Sequence, residues 1–122
     1  MKYLFLIVTA LSLSVQAQNP MSTTFPDGTS SPSADELRTR LSGNVFSVKP
    51  FSGPNWRLQY KEGGYYFVNA GSFSDSGEWK TEDGKLCGKG QKSGGSCNEV
   101  RTTSESIYLK RDSGEVIQLV KQ

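Results

Sequence analysis

The chain has no histidine and only two cysteines among its 122 residues. Without imidazole it lacks the Ser/His and Cys/His nucleophile pairs, the commonest general base and His-based metal sites. A tetrahedral zinc site would need two ligands beyond the cysteines, and neither His nor further Cys is there to supply them. Charge of one sign is missing too: 14 basic residues stand against 12 acidic ones, a formal charge of +2. A balance that even gives no field pointing to nucleic acid. There is no G-x-S-x-G elbow. The glycine-rich run 88–95 lacks the residue order of a phosphate loop. The expectation is a protein that is not an enzyme and needs no metal or cofactor. One catalytic alternative is a carboxylate pair among Asp75, Glu78, Glu82 and Asp83, around Trp79. Against it, Glu82 and Asp83 fall in a turn, and Glu78 flanks an inward Trp.

Long apolar runs are absent beyond residue 17. Residues 1–17, MKYLFLIVTALSLSVQA, combine a positive Lys2, an apolar stretch from Tyr3 to Val15 and a Val15-Gln16-Ala17 end. That pattern predicts a secretory signal peptide, cleaved between Ala17 and Gln18. The apolar stretch is about 13 residues, short of the roughly 20 that cross a bilayer. Gln18 rather than Cys follows the cleavage point, which argues against a lipid anchor. The expected location is periplasmic or secreted, with no stable membrane insertion.

In such a compartment an even cysteine count predicts a disulfide, Cys87 to Cys97. Nine residues separate the two, which is not the C-x-x-C spacing of a redox pair. A staple across a hairpin fits better, and closing so small a loop is worth about 2–3 kcal/mol.

Residues 18–32 carry Pro, Ser and Thr with few large apolar groups, the composition of a flexible linker. The single β domain is expected over 33–122. Ser33-Ala34-Asp35-Glu36 is a capping box opening a helix over 34–42, with Leu37 and Leu41 on one face and Gly43 as its stop. The period then changes to two. Phe46 and Val48 begin a strand, and Trp56, Leu58 and Tyr60 alternate with polar residues in the next. Glu62-Gly63-Gly64 turns into Tyr65–Val68, a run large enough to touch both faces. Residues 72–76 read as a loop around Phe73. Strands at 77–81 and 85–87 flank the Asp83-Gly84 turn. Further strands run over 97–101, 106–111 and 115–122, with Ile107 and Leu109 facing Ile117 and Leu119. About eight short strands in sequence order predict a mainly β fold. Its form is an antiparallel meander, a curved sheet or small barrel, with one short N-terminal helix.

Aromatics crowd residues 56–79. Trp56, Trp79 and Phe67 are expected in the core. Tyr65 and Tyr66 are neighbours on a strand, so only one of them can point inward. Tyr65 or Tyr66, whichever is exposed, is the best single contact candidate. Lys89 and Lys92 sit with Lys85 in a stretch without acidic residues and are candidate contacts for an acidic partner.

Gly77-x-Trp79, Asp83-Gly84-Lys85-Leu86-Cys87 and Cys97-x-x-Val100, with Leu41-Ser42-Gly43 at the helix end, resemble a group of small exported bacterial β domains of unknown function. The resemblance spans about residues 34–120 and implies an exported β fold rather than an activity. Lipocalins also carry a G-x-W, but near the first strand, whereas here it lies mid-chain. Small periplasmic lysozyme inhibitors are disulfide-stapled β domains too, an analogy of fold alone. The leading expectation is an exported, non-enzymatic binding domain that contacts a protein or an envelope component through an aromatic sheet face and the Cys87–Cys97 hairpin. The alternatives are a carrier of an apolar small molecule in a lipocalin-like cavity, or an inhibitor of a cell-wall hydrolase.

Overall fold

Eight antiparallel strands are each bonded to the next, and the last closes on the first. The computed structural model describes residues 20–122, so the expected leader and its cleavage point lie outside the described residues. The elements are α1 (Ala34–Leu41), β1 (Val45–Val48), β2 (Trp56–Tyr60), β3 (Tyr65–Ala70), β4 (Phe73–Glu82), β5 (Lys85–Gly90), β6 (Gly94–Thr102), β7 (Ile107–Lys110) and β8 (Val116–Lys121). The expected mainly β meander is present as a closed barrel. Closure removes the unpaired edges that an open sheet would expose. Among the described residues no helix is long and apolar enough to cross a membrane.

The helix plugs one end of the barrel. Ser33 caps it by accepting from the Glu36 amide at 3.1 Å. Eight residues make two turns, too few to persist alone. Leu37 and Leu41 are fully buried in one core cluster with Phe46, Val100, Ile107 and Leu119, and that burial holds the helix in place. Polar ties fasten it to the surrounding turns. The Ala34 amide donates to Asp83 at 2.9 Å, and Arg40 Nη1 donates to the Thr103 carbonyl at 2.8 Å. Gly43, at φ 76°, ends the helix and donates to the Tyr60 carbonyl at 2.8 Å. Ile107 and Leu109 pair with Leu119 and Ile117, as the alternation requires.

Four features differ from the sequence expectation. Residues 20–32, expected as a flexible linker, are tied to the barrel. Ser22 accepts from the Val116 amide, Ser30 bridges Thr102, and Pro32 accepts from the Gly84 amide. Phe25 adds a face for the Arg101 guanidinium, 6.0 Å from the ring centre. Residues 73–76, expected as loop, belong to β4, because β3 pairs with them along their whole length. The glycine-rich run is likewise mostly strand, paired from Gly88 to Ser96 and from Gly90 to Gly94. Phe67, expected in the core, points outward and is 41% exposed. The register places Tyr66 opposite inward Tyr60, so the next residue must face water.

Candidate functional site

An open cavity of about 490 Å³, the cup, is lined by residues of β2 to β7 and of the loops beside them, with none from α1. Its floor is aromatic. Tyr60 is 6% exposed, and its ring meets Phe46 and Trp79 edge-on at 6.0 Å and 5.3 Å. Trp79 is fixed in turn by its indole N–H, which donates to the Lys61 carbonyl at 3.0 Å. Leu58, Val68 and Leu109 form apolar walls.

Small residues make the room. Tyr66 starts on β3, crosses β4 over Gly77 and reaches β5 at Gly88 and Gly90. A Cβ on Gly88 would stand 3.5 Å from the Tyr66 ring. These glycines match no motif, and their role shows only in the fold. The spacing of Gly77, Gly88 and Gly90 is the one signal of it, since each falls at an inward position of its strand.

The rim is polar and largely self-satisfied. Asp75 accepts from the amides of Ser76, Lys92 and Ser93 and from the Ser93 hydroxyl. Those bonds, the Ser93 hydroxyl foremost, outweigh the cost of burial and hold its carboxyl below the ordinary range. Asp75 therefore anchors the β5–β6 tip to β4. Glu78, Glu82 and Asp83 are exposed, and of the four carboxylates only Asp75 is buried. Across the mouth, Arg111 lies 4.6 Å over the Trp56 ring and is paired with Glu115 at 2.6 Å. Burial pushes the Glu115 carboxyl up, but the Phe51 amide and Arg111 outweigh it and leave it below its usual value.

The contact residues expected from the sequence divide between two surfaces. Tyr66 lines the cup. Tyr65, 56% exposed, lies on the outer face in one cross-strand row with Glu78 and Lys89. Phe67 stands beside it on the same face. Lys92 sits at the β5–β6 tip, 5.7 Å over the Phe73 ring, with its ammonium donating to the Ser74 carbonyl at 2.7 Å. Tyr65 and Lys89 thus come together, while Tyr66 and Lys92 belong to the cup and its rim. Cys87 and Cys97 are disulfide-bonded as expected, directly opposite each other with Cα atoms 4.0 Å apart. The link staples β5 to β6 in the wall of the cup. Leu109 and Arg111 do not stand out as candidates in the sequence, because only the barrel's closure brings them to the cup. No protein-family model matches this chain, and neither a curated protein nor a solved structure matches it.

Proposed function

We propose that the protein binds a small, largely apolar molecule in the cup and works in an oxidising, exported compartment. The supporting observation is the cavity itself: about 490 Å³, open at one end and plugged at the other. That volume falls within the range of about 300–1,000 Å³ typical of small-ligand sites. An apolar ligand gains from leaving water against Leu58, Val68, Leu109 and Trp79. The disulfide supports the compartment, since such links persist outside the reducing cytosol. The test is titration with the apolar fluorescent dye prodan, comparing the native protein with Val68→Trp, which fills the cup. Saturable binding abolished by Val68→Trp supports the reading; equal binding by both proteins contradicts it.

A second reading rests on the outer face. Tyr65 and Phe67 are exposed side by side, flanked by Glu78 and Lys89. An aromatic pair with a charged border suits a protein or envelope partner, a cell-wall hydrolase among them. Pull-down from envelope extracts with Tyr65→Ala and Lys89→Glu tests it: a specific partner lost in both variants supports the reading, and an insensitive one counts against it.

A further inference from the structure

The cup's polar side chains are not equally free. Ser96 donates to Asn98 at 3.1 Å, and Asn98 donates to Asp112 at 2.9 Å. Ser93 is committed to Asp75, and Arg111 to Glu115. The floor is different. Among the described residues neither the Tyr60 nor the Tyr66 hydroxyl has a hydrogen-bond partner, although both side chains line the cavity. Tyr60 is more than nine-tenths buried as a residue, yet its hydroxyl is not fully enclosed and opens to the cup. A ligand that displaces water from it must supply an acceptor or leave the donor unpaired. The two rings are cross-strand neighbours with centres 6.4 Å apart, tilted by 35°.

Burial pushes both phenols further up from their ordinary value; Tyr66 adds to this at Tyr60, and the charge of Asp75 adds to it at Tyr66. At neutral pH each is an O–H donor. The charges among the lining residues, Arg111 and Asp112, sit at the rim and are already partnered. Among the described residues no cation stands at the floor to meet an anionic head, and Asp75 beside Tyr66 repels one. An ammonium head can donate to the phenol oxygens and is attracted by Asp75, but it leaves both phenol protons without an acceptor from the ligand.

Resting on the cup reading, we infer that the ligand is an apolar molecule carrying a neutral hydrogen-bond acceptor, such as a ketone, ester or amide carbonyl. It enters acceptor-first and takes hydrogen bonds from Tyr60 and Tyr66. The two tyrosines set the ligand's orientation, and the apolar walls hold its body.

Three matched probes test this: prodan, a neutral naphthyl ketone; dimethylaminonaphthalene, which lacks the acyl group; and dimethylaminonaphthoate, its carboxylate. The native protein is expected to bind the ketone tightest. Tyr60→Phe and Tyr66→Phe each remove only a hydroxyl and should weaken ketone binding about five- to tenfold, the loss of one hydrogen bond. Dimethylaminonaphthalene affinity should not change. If Tyr60→Phe fails to fold, Tyr66→Phe and the probe ranking on the native protein still decide. Saturable binding with no preference for the ketone, or with no sensitivity to either hydroxyl, overturns the acceptor inference and leaves the cup standing. Failure of every probe to bind overturns both.

Discussion

Tyr66 of β3 lies against Gly90 of β5: a Cβ built on that glycine would fall 2.8 Å from the tyrosine hydroxyl and would collide with Asp75 Oδ2. Gly88, one inward position away, leaves ordinary contact distance to the same ring. The two glycines therefore respond differently to a methyl group. Gly90→Ala should destabilise the fold by about 1–3 kcal/mol through overpacking. Gly88→Ala should cost less than about 1 kcal/mol. Urea unfolding of both variants checks the difference, and equal costs would show that the tyrosine does not need this path.

The staple between β5 and β6 closes a small loop. Replacing both cysteines by serine removes about 2–3 kcal/mol, by the loop-closure argument. About 1 kcal/mol moves the melting temperature of a domain of this size by roughly 4–8 °C. A fall of about ten degrees or more under oxidising conditions is therefore expected in a thermal melt.

Asp75 and Glu115 both bind protons more weakly in the folded barrel than their ordinary 3.8 and 4.5 imply. Their contribution to stability is complete above those ordinary values and is lost as pH falls through the lower folded ones. Stability should decline on acidification below about pH 4. Asp75→Asn cannot titrate, so its unfolding free energy should be lower at neutral pH and flatter across the acid range. Urea titrations at stepped pH measure both slopes.

The helix is held by its leucines rather than by its own length. Leu41→Ala leaves a cavity beneath the floor and should cost about 2–5 kcal/mol. Exposed Val120 lies away from the plug, and Val120→Ala should change stability by less than about 0.5 kcal/mol. Chemical denaturation of the pair separates the plug from the outer wall.

Much of the barrel is legible in the sequence because its signals are local. Trp56-Arg57-Leu58-Gln59-Tyr60 declares its inward face by alternation, and Asp83-Gly84 declares its turn. The capping box locates the helix. Other features are not legible there. The run Tyr65–Val68 is large at every position, so its phase depends on its pairing with β2, and size alone puts Phe67 on the wrong side. Ser74, Asp75 and Ser76 have weak strand preference and join β4 because neighbours on the closed sheet pair with them. The cup needs closure itself: Arg111 and Trp56 lie far apart in the chain, and their stacking follows from the barrel. Residues 20–32 have a linker's composition, yet backbone hydrogen bonds, which composition does not encode, secure them.

The most direct test of the cup as the binding site is a set of intermolecular NOEs from bound prodan at saturation. Contacts from the dye to the methyl groups of Leu58, Val68 and Leu109 are expected, because those side chains form the inner walls. Contacts confined to the rings of Tyr65 and Phe67 on the outer face, with none to those methyls, would contradict it.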